Sequence, residues 1–226
     1  MSDSTLPMTA RWEAIHSRPG FAPRFPSEPA LRWLHRRFAV APAHLADVGT
    51  GTGRHALVMA RAGHIVFASD ASAPGIAALT RQAAADGAEM TIAVASADML
   101  PLADASMDGV LSWGVLYYMP WPQLVHAVAE MRRILKPGGR ALVLMKSDAD
   151  SRALTGERID AHHVRVRLPD PAAPWSAEDG MTLALLGRGA MIHLFESFSE
   201  CVIDRVTLTR DGERYVDDDW LVELQR

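Results

Sequence analysis

The stretch Leu45-Ala46-Asp47-Val48-Gly49-Thr50-Gly51-Thr52-Gly53 constrains this chain more than any other. An apolar run ends in three glycines at alternate positions, and a helical pattern from Arg54 to Arg61 follows at once. Glycine reaches left-handed backbone conformations and has no Cβ. Backbone N–H groups at the start of the following helix can therefore approach an anion or a polar ligand tail. The motif predicts a strand, a tight turn and a helix, with a ligand at the turn.

Downstream the chain alternates strand and helix patterns, which calls for a parallel sheet. Gly63 closes the first helix, and His64 to Ser69 reads as a second strand ending at Asp70. Pro74 opens a helix that runs to about Asp86, ahead of Gly87. Met90 to Val94 and Gly109 to Trp113 read as the third and fourth strands. Leu124, Val125, Val128, Met131 and Leu135 recur at helical spacing, and Lys136-Pro137-Gly138-Gly139 turns the chain into a fifth strand, Arg140 to Met145. Then the alternation breaks. A helix from about Met191 to Phe198 precedes strands at about 202–209 and 220–224, joined by Arg210-Asp211-Gly212-Glu213. Strands joined that closely pair antiparallel, because a parallel crossover needs a dozen or more residues.

The spacing of the glycines separates two cofactor classes. A dinucleotide fingerprint needs a glycine at its sixth position, and position 54 is Arg. Asp47-x-Gly49-x-Gly51-x-Gly53 instead resembles the first motif of class I S-adenosylmethionine (SAM) methyltransferases. The element order resembles that family too, strongly over residues 40 to 146 and weakly in the tail. The resemblance implies a Rossmann-like, doubly wound α/β sheet of seven strands, mostly parallel with a C-terminal antiparallel hairpin. It implies that the turn holds the methionine end of SAM, which Asp47 reaches through the amine or ordered water. Asp70, with Ala71 after it, would accept hydrogen bonds from the ribose hydroxyls. Asp98-Met99 would meet adenine, the carboxylate at its amine and the backbone at the ring. Ser112 and Trp113 would run beneath the methyl group, with Tyr117 and Tyr118 towards the acceptor. Leu135 to Arg140 resembles the family's turn before strand five and carries no chemistry.

At 226 residues, with 49% apolar content, the chain can bury a full core as one domain. Its expected parts are a helical cap over 1–40, a cofactor-binding core over 41–146, a substrate-side insertion over 147–186, and a closing helix and hairpin over 187–226. The cap reads as a helix around Arg11 to His16, a proline-marked loop from Pro19 to Glu28, and a second helix from Pro29 to Phe38. The insertion reads as a lid or binding loop. Its Arg152, Arg158, His162, His163, Arg165 and Arg167 suit an anionic acceptor, although four acids between Asp148 and Asp160 offset them and a solvated loop is the plainer reading. Arg24, Tyr117 and Arg165 are the candidate acceptor contacts. His16, Tyr117, Tyr118, His162 and His163 are the candidate bases for a hydroxyl acceptor, and a nitrogen acceptor needs only a free lone pair.

Composition narrows the partners. A net charge of −4 leaves no electrostatic footprint for nucleic acid. The segment after strand four lacks the Asn-Pro-Pro-Tyr sequence typical of methyltransferases that act on Gln amides or adenine amines, which points to a small-molecule acceptor. Cys201 is the single cysteine, no His, Asp or Glu spacing makes a metal site, and no apolar run approaches a membrane span. Met1-Ser2-Asp3-Ser4 begins no signal segment, so the expected location is the cytoplasm and the expected state a monomer or homodimer. The alternatives are a SAM-fold binding subunit without turnover and, less favoured because of Arg54, a nicotinamide-dependent oxidoreductase.

Overall fold

A computed structural model describes residues 7–18, 23–169 and 175–226. Residues 1–6, residues 19–22 of the proline-marked loop and residues 170–174 of the insertion lie outside the described residues. Two helices come first, α1 (Met8–His16) and α2 (Glu28–Arg37). Then β1 (His44–Val48), α3 (Ala56–Arg61), β2 (Ile65–Asp70), α4 (Ala73–Asp86), β3 (Thr91–Val94) and β4 (Met107–Trp113) follow. After a single 3-10 turn at Leu116–Tyr118 come α5 (Trp121–Ile134) and β5 (Leu135–Ser147).

Strands β1 to β5 lie in the order β3-β2-β1-β4-β5, all parallel. The central strand β1 buries Leu45, Ala46, Asp47 and Val48 in succession, as a strand covered on both faces must. One face packs Trp33 of α2, Leu57 of α3 and Leu79 of α4. The other packs Leu124, Ala127, Val128, Met131 and Ile134 of α5, a stripe at helical spacing. Val125 and Leu135 are not part of that stripe: Val125 is exposed and Leu135 already belongs to β5. Helix α4 has sequence-encoded ends. Ser72 accepts from the Gly75 N–H at its start, and Gly87 ends it with φ of 63°, while Ala88 N–H returns to the Ala83 carbonyl.

The Lys136–Gly139 turn is an irregular opening of a long β5. Gly138 bends it at φ of 76°, and its register against β4 shifts between Met107 and Gly109. Past β5 the insertion holds regular structure: α6 (Ser151–Thr155), β6 (Glu157–Arg158), β7 (His163–Arg165), a 3-10 turn at Ser176–Glu178, and β8 (Thr182–Leu186). Strand β8 continues the sheet beside β5, and β7 and β6 extend it outward. The described sheet therefore has ten strands where seven were expected. The reason is legible afterwards, because Thr182-Leu183-Ala184-Leu185-Leu186 is an apolar run of strand length. Helix α7 (Arg188–Leu194) starts earlier than its periodicity suggested, and the hairpin of β9 (Glu200–Arg210) and β10 (Tyr215–Gln225) is longer. Strand β10 pairs antiparallel with β9, as the short connection required, and also with β5.

Candidate functional site

The site is built at the carboxyl ends of the strands, where open α/β sheets hold ligands. Gly49, Gly51 and Gly53 all have left-handed φ, between 57° and 90°. The N–H groups of Gly49 and Thr50 donate to the Ser69 carbonyl at 2.7 and 2.8 Å, so β2 fixes the turn. A Cβ on Gly49 would collide with Val115, and one on Gly53 with Leu79. Gly51 differs, because a Cβ there would collide with nothing and would make an ordinary contact with His16 Nε2 at 3.5 Å.

Asp47 lies beneath this turn and is completely buried. Its Oδ2 accepts from the Thr50 hydroxyl at 2.7 Å and from the Ala56 N–H at 3.0 Å, bracing the turn against the start of α3. Burial pushes its carboxyl up to about 6 despite these hydrogen bonds. Asp70 does face the cleft. Its Oδ2 accepts from Gly51 N–H and its Oδ1 from Ser72 N–H, both at 2.8 Å. Ser72 Oγ in turn pairs with His16 Nδ1 at 2.8 Å, which pins α1 over the turn. Burial lowers the His16 pKa against the pull of Asp70, which keeps the ring neutral at pH 7.

The resulting cleft has a volume of about 400 Å³. Met8, Trp12 and His16 of α1 cover it, the glycine turn and Asp70 to Ser72 form one wall, and Ala95 to Ala97 form the next. Trp113 to Val115 and Tyr117 to Pro120 close the far end. There the two tyrosine rings lie 4.5 Å apart, and Trp12 meets Tyr118 edge-on at 5.0 Å. Burial pushes the Tyr117 phenol up to about 12, and Tyr118 is raised too, so both are neutral.

A methyltransferase-domain family model matches residues 45–139, the segment that carries the turn and both flanking strands. An uncharacterized methyltransferase of Mycobacterium tuberculosis is 30% identical over 189 residues, which cover 80% of this chain and 72% of that protein. The chain belongs to the class I SAM-dependent methyltransferases. Its cofactor is SAM. The demethylmenaquinone methyltransferase of Thermus thermophilus is 34% identical over 121 residues, 50% of this chain, and the match spans only about half of that relative, 54%. A SAM-dependent methyltransferase structure from Methanosarcina mazei shares the fold with a TM-score of 0.69, at 17% identity, over 85% of this chain and 96% of that one.

Within the methyltransferase, the sequence-expected residues divide sharply. Gly49, Gly51, Asp70, Ala71 and Trp113 line the cleft, as do His16, Tyr117 and Tyr118. Asp47, Gly53 and Ser112 lie beneath it; Ser112 is fully buried, and its hydroxyl has no hydrogen-bond partner. Asp98 sits one layer back with its carboxylate on the Ser96 hydroxyl, and it is Ser96 that faces the cleft. Met99 is exposed and borders a shallow groove that shares Ala71, Ala95 and Ser96 with the cleft. Arg24 is exposed, while its neighbour Pro23 touches the cleft.

The insertion histidines and Arg165 are placed elsewhere, because β7 carries His163 and Arg165 into the sheet extension and His162 directly precedes it. His162 stacks on Trp121 with ring centroids 4.0 Å apart. His163 is buried, with Nδ1 on Asp160 at 2.9 Å and Nε2 on the Met119 carbonyl at 3.2 Å. Arg165 pairs with Glu157 at 3.4 Å. None of the three lines the cleft.

Sequence reasoning missed a buried ionic cluster behind the tyrosines. Lys146 Nζ lies 3.1 Å from Asp150 and 2.9 Å from Asp219. The Arg152 guanidinium meets Asp150 at 3.0 Å, Asp217 at 2.9 Å and Glu178 at 2.5 Å, and it covers the Trp175 ring at 4.6 Å. Glu178 Oε1 then accepts from the Tyr118 hydroxyl at 2.6 Å. The available signal was Asp217-Asp218-Asp219 directly before the expected strand at 220–224: with β10 starting at Tyr215 the three acids lie on a strand, where adjacent side chains cannot all face water.

Proposed function

We propose that this methyltransferase transfers the methyl group of SAM to an oxygen or nitrogen atom of a small-molecule acceptor bound beneath α1. The observation that carries the reading is Asp70: it reaches the cleft with each carboxylate oxygen spending one lone pair on the backbone, which leaves acceptors for two ribose hydroxyls. The cleft-lining backbone of Gly51 suits the methionine end of the cofactor, and the small side chains of Ala71, Ala95 and Ala97 line the slot assigned to the base. Asp98 and Met99 stand near the end of that slot, Asp98 acting on it through Ser96. Asp47, Gly53 and Ser112 support the cradle from below.

Bound SAM supplies a methyl group already activated on a sulfonium, so the chain contributes placement above all. Trp113, Gly114 and the tyrosines stand where the acceptor would approach. The cleft volume falls in the range of small-molecule sites, and the Thermus relative is named for demethylmenaquinone. Calorimetry with SAM, S-adenosylhomocysteine and NADH tests the cofactor assignment, with binding expected for the first two alone. Turnover of labelled SAM against a metabolite panel tests the rest: labelled product from a small O–H or N–H compound is expected, and labelling of protein or nucleic acid only would refute the acceptor class.

A further inference from the structure

The acceptor end of the cleft is where three separate pieces of chain converge. Trp12 of α1 packs on Tyr118, Arg11 of α1 donates to the Asp179 carbonyl at 3.2 Å, and Glu178, next to it, takes the Tyr118 hydroxyl. Glu178 is held from behind by Arg152, whose own charge is shared with Asp150 and Asp217. A phenolic hydroxyl has one proton to donate and lone pairs to accept with. Since the carboxylate has already engaged that proton, the Tyr118 oxygen is left only as a hydrogen-bond acceptor, with one lone pair taken by the Tyr117 hydroxyl and the other open to a ligand.

We propose that Glu178 is a positioning residue that fixes this polarity, so that the site takes a neutral acceptor presenting an O–H or N–H to Tyr118. The inference rests on the reading of the cleft given above and deepens it to a substrate class. The charges agree with it. The groups nearest the Tyr118 hydroxyl are Glu178 and the neutral Tyr117, and the cations behind them, Arg152 and Lys146, are committed to Asp150, Asp217 and Asp219. An acceptor arriving as an anion at Tyr118 would meet a lone pair backed by a carboxylate, which is costly in a desolvated site. The arginine that lines the cleft, Arg54, lies beside the glycine turn and donates to the Phe25 carbonyl at 3.3 Å. The anionic acceptor expected from the insertion's arginines loses its support, because none of Arg152, Arg158, Arg165 and Arg167 lines the cleft, and all but Arg158 are paired with acids. As the acceptor atom gives up its proton, that proton passes to the Tyr118 oxygen while the Tyr118 proton moves to Glu178.

The test uses p-nitrophenol, whose phenol and phenolate forms absorb at different wavelengths, with protein saturated in S-adenosylhomocysteine. Across a pH series the wild-type protein should bind the phenol about tenfold more tightly than the phenolate, raising the probe's apparent pKa by about one unit. Glu178→Gln can donate its amide to Tyr118 and release the phenolic hydrogen into the site, so the preference should disappear. Tyr118→Phe keeps the ring and should lose the preference as well, and both variants should hold S-adenosylhomocysteine as the wild type does. Equal binding of the two forms by the wild type would overturn the proposal, as would an unchanged preference in the variants. So would absence of saturable p-nitrophenol binding in protein that holds S-adenosylhomocysteine. Failure to bind S-adenosylhomocysteine at all would instead sink the cofactor assignment.

Discussion

The two halves of the cleft are built on different principles. The glycine-turn half is held by backbone groups and short-range side chains: Asp47, Thr50, Ala56, Ser69 and Asp70 lie within one strand-turn-helix-strand passage. The tyrosine half is held by charged side chains from distant stretches, with Lys146, Arg152, Glu178 and Asp217 meeting from β5, α6, a 3-10 turn and β10. A cradle for an invariant ligand can be encoded locally in backbone geometry. A wall facing a particular acceptor draws on whatever the rest of the chain brings to it.

Breaking the tyrosine half should produce the largest loss of stability. Arg152→Leu leaves Glu178 buried without its cation and Asp150 and Asp217 sharing Lys146, and should cost about 3–5 kcal/mol in denaturant unfolding. SAM affinity of the folded fraction should nonetheless stay near that of the wild type. The reverse pattern is expected of Gly49→Ala, which strains the left-handed backbone and collides with Val115. It should lose about 2–4 kcal/mol and most SAM binding, and Val115→Ala should recover part of both.

Asp70→Ala is smaller again. It should weaken SAM by about 1.5–3 kcal/mol in calorimetry, since it removes a ribose acceptor and frees two N–H groups, while Asp98→Ala should cost less because Ser96 stands between it and the cleft. Unchanged affinity on loss of Asp70 would erase the distinction between the two halves.

The finest test is pH. Buried Asp47 is raised to about 6, so the folded state holds its proton more tightly than the unfolded chain, and this residue makes stability fall as pH rises from about 4 to about 6. His55 is the opposite case. Burial lowers it to about 3 and its Nε2 accepts from Ser27 N–H, so its contribution makes stability rise with pH up to about 6.5. The two slopes oppose each other in the wild type. Asp47→Asn should therefore steepen the rise of stability with pH, and His55→Gln should turn it into a fall, each by on the order of 1 kcal/mol across the window in melts at pH 4.5 and 6.

The same contrast explains what the sequence disclosed. The turn, the order of the first five strands and the closing hairpin follow from glycine positions, apolar runs and connection lengths, all of which are local. Asp70 was legible because a strand end fixes where its last side chain points, and the tyrosines because they follow the carboxyl end of β4 within a few residues. The destination of Asp47 was not, since the same residue spacing serves an acid reaching a ligand or one bracing a turn from below. His162, His163 and Arg165 misled because charge on an apparent loop reads as available for a ligand, and only the pairing of β7 with β8 shows otherwise. The Glu178–Arg152 contact depends on tertiary placement that no spacing rule records.

Strand β5 carries a consequence for how the molecule assembles. Its edge opposite β4 is completed by β10, which pairs Arg140 with Gln225 and Lys146 with Asp219, and by β8 at Lys146 and Ser147. These are contacts of high sequence separation, slow to form because a long loop must close before they are rewarded. During synthesis the first five strands emerge with Leu142, Val143 and Leu144 on an open edge, and that edge stays open until residue 225 has left the ribosome. Completion of this sheet is therefore a late event in folding, and the apolar edge of β5 is open to mispairing until β10 arrives.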